Sequence, residues 1–257
     1  QEPAEGDWLN RAVYSLGSTP DPLTIAQPAL DMMHWSTPRL FEMGFETVDS
    51  IAWGDEHIHV EDVREAFNDG ASLGLADGAL FGLAGGELVG EDDEQHLEFH
   101  YAEVGEMHPF IIANMVYYTD PQTVTFFNQG TEEEPNGMVA GFGIWDPVDI
   151  SHNSTYVLGW SVYGMRYHDI YQGGSLFQFA GVQYQQILDI QGLNIDQRLI
   201  ESGEHQYLGD PTIHIRTGTT HELSVGHPEE YNTGATAIAL RVTDGNDQAV
   251  SGAAVCI

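Results

Sequence analysis

Lysine is absent from this chain of 257 residues, and seven arginines are all that offset 40 aspartates and glutamates. A formal charge of −33 repels itself strongly in dilute buffer. At molar salt the Debye length shrinks to about 3 Å and that repulsion is screened. The acids are dispersed through a chain that keeps its apolar runs, which argues against a disordered acidic tail and for a folded protein of an extreme halophile, archaeal in type. Phosphate neutralisation needs Lys and Arg clusters, so nucleic acid is excluded as a partner. Cysteine is nearly absent too: Cys256 stands alone, one residue from the end of the sequence. An intrachain disulfide, a paired-thiolate metal site and a cysteine nucleophile in the main domain are all excluded by that. Runs of about 18 apolar residues are missing, so no membrane span is expected, and Gln1-Glu2-Pro3 does not open a signal peptide. The sequence reads as a mature or trimmed piece of a longer protein.

What is present is 42% hydrophobic, enough for one sizeable α/β domain and a small second one. The central stretch is residues 61–78, EDVREAFNDGASLGLADG. Val63, Ala66 and Phe67 recur at helical spacing, Asn68-Asp69-Gly70 supplies a stop, and residues 71–76 form the short apolar run of a buried parallel strand. Asp77 and Gly78 then stand at the strand end, where open α/β sheets place their chemistry. Upstream, residues 12–16 read as a first strand, 25–44 as a helix kinked or split at Pro38, and 45–48 as a second strand. This order of strand, helix and strand favours a parallel sheet. Downstream, a Gly-rich acidic insert follows Gly78, and residues 109–116 and 137–144 are further central strands. Residues 156–164 and 176–190 read as helices broken at Gly173-Gly174, with aromatics at helical spacing that suit core packing better than a ligand groove. Residues 207–215, YLGDPTIHI, read as a turn followed by a strand that closes the main domain. Beyond it, residues 237–242, the turn Asp244-Gly245-Asn246-Asp247 and residues 249–257 form a hairpin of a β-sandwich too short to be complete. The division expected is therefore 1–218 and 219–257.

Residues 53–62, WGDEHIHVED, are the most metal-like stretch, since His57 and His59 fall on one side of a strand with Asp55, Glu56, Glu61 and Asp62 close by. The pattern resembles the HxHxDH zinc motif of metallo-β-lactamases, but Asp62 replaces its last histidine and Glu61 its aspartate. A loop whose acids cap the helix beginning near Glu61 is the preferred reading. Asn153-Ser154-Thr155 is a glycosylation sequon, which suits an exported protein.

Several segments in order resemble one family. Trp8-Leu9-Asn10, AFNDGASLGLADG, HPFIIANMV, GMVAGFGI, YLGDPTIHI and finally VTDGNDQAVSGAAV are similar to the peptidase domain of gingipain-type cysteine peptidases and the immunoglobulin-like module after it. The LGDP turn is the most specific of these. The resemblance implies a caspase-like three-layer α/β domain with a mainly parallel sheet, followed by a fragment of a β-sandwich. It also implies a Gly-His-Gly strand end whose histidine is the general base, and a second strand that delivers the cysteine nucleophile. Here the matching residues are Ala76-Asp77-Gly78 and Val116, or Met115 if the register slips. Both halves of the dyad are replaced. Valine has no nucleophile, and aspartate has no thiol to deprotonate. Thr119 lies beyond the strand end without a histidine beside it in sequence, and His108 belongs at the opposite end.

The function expected is that of a catalytically inactive gingipain-like domain, secreted or at the cell surface, acting as a scaffold that holds protein partners or other segments of a longer chain at high salt. The alternative is a hydrolase, either a divergent peptidase or metal-assisted around His57 and His59. No cofactor is required by either strand end; calcium is the candidate if Asp77 binds a cation, because hard oxygen ligands abound and thiolates do not.

Overall fold

The computed structural model describes residues 7–16, 27–52, 60–77, 84–89, 96–101, 104, 107–114, 137–144, 155–190, 205–217, 224–226, 240–244 and 247–250. The chain divides into two compact units, Gln1–Gly218 and Thr219–Ile257.

In the first unit a short 3₁₀ turn, Asp7–Asn10, leads into β1 (Arg11–Leu16). Then follow α1 (Gln27–Glu42), β2 (Thr47–Ala52), α2 (Val60–Asn68) and β3 (Leu73–Asp77). An antiparallel pair, β4 (Ala84–Val89) with β5 (His96–Tyr101), fills part of the Gly-rich insert. Next come β6 (Phe110–Asn114), β7 (Ala140–Ile144), α3 (Thr155–His168), α4 (Gly173–Ile190) and β8 (His205–Gly209). Six strands make the main sheet in the order β2-β1-β3-β6-β7-β8, and every pairing is parallel except β7 with β8. This is the mainly parallel α/β sheet expected from the apolar runs at 71–76, 109–116 and 137–144.

Side-chain alternation splits the sheet between two cores. Tyr14, Leu73, Leu75, Phe110, Ile112 and Phe142 face the layer of α1, α3 and α4. Val13, Ala76, Ile111 and Ala113 face α2 through Val63, Ala66 and Phe67, the helical triplet read from the sequence. Three layers result, with strands covered on both faces. The glycines of GMVAGFGI have a physical reason: a Cβ on Gly143 would collide with the Ala113 carbonyl oxygen, and one on Gly141 with that of Ile111. These contacts are backbone to side-chain position, so β6 and β7 approach only because the side chains are missing.

Four local expectations need correction. First, α1 is not split at Pro38 but runs through it as one element, held by Met33, Ser36 and Leu40 buried on both sides of the proline. Second, the ladder of β2 starts at Thr47, opposite Arg11; Phe45 instead fills the core from the connection. Third, Gly173-Gly174 does not break a helix but starts α4, and its first amides bond to the Ile213 and Pro211 carbonyls. Fourth, the strand precedes the LGDP turn rather than following it. Gly209 ends β8 at φ 99°, a left-handed conformation that favours glycine, and the Asp210 carboxylate then accepts from the Thr212 amide and hydroxyl at 2.8 and 2.7 Å. Ile213 and Ile215 give their backbone groups to the start of α4, leaving one isolated bridge, Gln172 to His214.

The second unit contains β9 (Ser224–Gly226) antiparallel to β10 (Arg241–Thr243). Its expected turn is present: the Asp247 amide donates to the Asp244 carbonyl, and the chain returns at Val250, whose amide donates to Val242. This short antiparallel β piece fits the expected C-terminal β fragment; residues 237–239 and 251–257 of the expected hairpin lie outside the described residues.

Candidate functional site

Parallel pairing places one row of residues at the carboxyl edge of the sheet: Ala52, Leu16, Asp77, Asn114, Ile144 and His205. Asp77 is the last residue of β3, and with Leu73 and Leu75 it alternates toward the α1/α3/α4 layer. It is only 8% exposed. Its Oδ2 accepts a 2.7 Å hydrogen bond from the hydroxyl of Thr155, the first residue of α3, itself 5% exposed. A carboxylate at a helix N-terminus is favoured by the helix dipole, so this bond pins α3 to the strand end.

Tyr14, on the neighbouring strand β1, is fully buried in the same layer. Burial pushes its phenol well above the ordinary value of 10, the Asp77 carboxylate adds to the rise, and the Ser36 hydroxyl opposes it. The phenol therefore stays protonated at any working pH. Tyr14 Oη and Ser36 Oγ make no well-formed hydrogen bond in the structure, although both are inside the core.

The residue beside Asp77 on β6 is Asn114, which brings no nucleophile to this row. Val116, Met115 and Thr119 lie outside the described residues; the strand that leads to Val116 is nevertheless the direct neighbour of the strand that carries Asp77. His108 precedes β6 at the opposite edge, as expected, and its Nδ1 is 3.0 Å from the Gly137 carbonyl oxygen. His205 is a residue that sequence reasoning missed, because that reading had no strand before the LGDP turn. It stands on the carboxyl-edge row, but three strand spacings of about 4.8 Å put it about 14 Å from Asp77, beyond hydrogen-bond reach. Its ring packs 4.5 Å from Phe177 and 5.8 Å from Phe142. Burial lowers its pKa from 6.5 to about 4, so it is neutral near pH 7.

The metal candidates Asp55, His57 and His59, with Glu56, lie outside the described residues, as does Asn153; Asp62 is on α2, exposed. Among the described residues no three His, Cys, Asp or Glu side chains converge on a common point. No described helix is long and apolar enough to cross a membrane.

Solved structures share this architecture. The Arg-specific cysteine proteinase gingipain R superposes with a TM-score of 0.63 at 15% identity, covering 92% of this chain and 54% of its own. The fold is gingipain-like. A complex of the pro- and mature domains of the same type of gingipain from Porphyromonas gingivalis gives 0.62 at 14% identity, with 92% and 55% covered. A structure described as a protease gives 0.63 at 11%, with 94% and 56% covered. This chain thus spans about half the length of the gingipain chains it matches. No family model matches the sequence, and no curated protein matches it. At these identities the likeness to gingipain is one of fold.

Proposed function

We propose that this chain is a gingipain-like domain without peptidase activity, retained as an extracellular or cell-surface scaffold in a high-salt setting. The observation that carries the reading is the state of Asp77. At the strand end where the resembling family has its histidine base, this chain has a buried carboxylate already engaged by Thr155. An aspartate so held anchors a helix and takes no proton from a thiol. The matching nucleophile position is Val116, and the one cysteine of the chain, Cys256, belongs to the other unit. In this reading the second unit is part of an immunoglobulin-like module, whose short antiparallel strands offer edges for strand addition by another segment or subunit.

The test is turnover of casein, Arg- and Lys-ester substrates and small esters at molar KCl, with and without chelator. No turnover above the buffer rate is expected under any condition. Thiol-dependent cleavage would overturn the reading; turnover abolished by chelator would replace it with the metal-assisted hydrolase around His57 and His59.

A further inference from the structure

The charge of this protein is distributed very unevenly between the two sides of its sheet. Helices α1, α3 and α4 span 16, 14 and 18 residues and pack together on one side. They carry three acids, Asp31, Glu42 and Asp189, against Arg39 and Arg166, a net charge of −1. The whole chain is −33, so −32 resides in everything else. On the other side α2 alone holds Glu61, Asp62 and Glu65 in nine residues. Helix α3, central between α1 and α4, has no acid at all.

The outer surface of this layer is also aromatic and apolar. Phe41 is 48% exposed, Tyr167 48% and Val182 57%. Along α3 the rings of Trp160, Tyr163 and Tyr167 follow one another at 5.3 and 4.9 Å. Both arginines lie over rings, Arg39 at 4.0 Å from the Trp35 centroid and Arg166 at 5.4 Å from that of Tyr167, and Arg166 bonds Glu42 at 2.8 Å. Stacked guanidinium groups are weakly hydrated and are cheap to bury. On a chain this acidic, solvent-facing helices are expected to carry carboxylates; a helical layer that omits them and exposes rings is built to be covered.

We infer that the α1/α3/α4 face is an interface between two copies of this chain, joined about a two-fold axis. Charge selects that occupant. A second copy is itself strongly acidic, and contact through this layer brings two near-neutral surfaces together while the α2 sides remain apart. The few charges are self-complementary, because a two-fold rotation offers Arg39 and Arg166 of each copy to the acids of the other. The inference is independent of whether the Asp77 site is inactive.

Sedimentation velocity and light scattering in about 2 M KCl, at chain concentrations up to about 100 µM, test it. The full chain is expected to dimerise, and Tyr167→Glu with Val182→Glu to weaken dimerisation at least tenfold. Glu65→Gln, on the opposite side, leaves it unchanged. The milder Phe41→Ser serves if the double variant melts early, and should weaken the dimer at an unaltered melting temperature. A monomer at the highest concentration, a dimer indifferent to these substitutions, or a monomer that instead binds an unrelated neutral protein or glycan through this face overturns the inference.

Discussion

Thr155 and Asp77, 78 positions apart in sequence, are joined by a 2.7 Å hydrogen bond inside the protein. The strand end that would hold a catalytic base is thereby made part of the scaffold. This bond sets the first expectation. Asp77→Ala leaves the Thr155 hydroxyl buried with its acceptor removed, at a cost of about 1 to 3 kcal/mol, more than the roughly 0.5 kcal/mol of a surface vestige. Asp77→Asn keeps an acceptor and should lose less, and Thr155→Val in the Asp77→Ala background should recover part of the loss. Denaturant unfolding in molar KCl measures all three; a neutral Asp77→Ala would remove the anchoring role.

Thiol chemistry supplies a second expectation. A peptidyl electrophile should form no stoichiometric adduct on residues 1–218, since thiolate chemistry requires a cysteine next to a base and this unit has no cysteine. Asp77→His combined with Val116→Cys is the minimal change expected to permit labelling. Intact-mass spectrometry after incubation reads the result, and an adduct on the unaltered first unit would contradict the proposal.

Salt dependence follows from the −33 charge. Below about 0.5 M salt the Debye length exceeds about 4 Å and the carboxylates repel one another across the surface. The domain should then unfold or swell. Far-UV circular dichroism through a KCl series is the measurement, and an unchanged melting temperature in dilute buffer would refute the halophilic reading.

His205 gives the pH expectation. Its folded pKa of about 4 lies below the ordinary 6.5, so the unfolded chain binds this proton first as pH falls. The stability tied to neutral His205 is complete above 6.5 and is lost between 6.5 and about 4, at most about 3 kcal/mol. His205→Phe, placed among Phe142 and Phe177, should flatten that part of the profile. Melting temperatures of both proteins from pH 7 to pH 4 decide it; parallel profiles would show that the ring is not responsible.

Gly143→Ala should be among the most damaging single substitutions in the sheet. The added methyl meets the Ala113 carbonyl, a backbone atom in a central strand that cannot step aside. A loss of about 3 kcal/mol is expected by thermal or denaturant unfolding, and tolerance of alanine would mean that β6 and β7 are less tightly joined.

The sequence alone determined the class of fold. Strands buried on both faces need apolar residues at every position, so 71–76, 109–116 and 137–144 announced β3, β6 and β7, and the triplet Val63, Ala66, Phe67 announced the inner stripe of α2. It also determined the solvent requirement, because net charge is a property of composition. Turn chemistry marked Gly209-Asp210, yet not on which side the strand lay. That depended on Tyr207 packing against Phe142 and Phe177 and on the α4 start claiming the backbone of Ile213 and Ile215. Only the tertiary structure decided what Asp77 does and which face is neutral. The partner of Asp77 comes from a helix 78 residues away, and the neutral face exists only where three helices separated in the chain lie side by side on one sheet; local sequence fixes an element's own stripe, whereas chain folding fixes what that stripe meets.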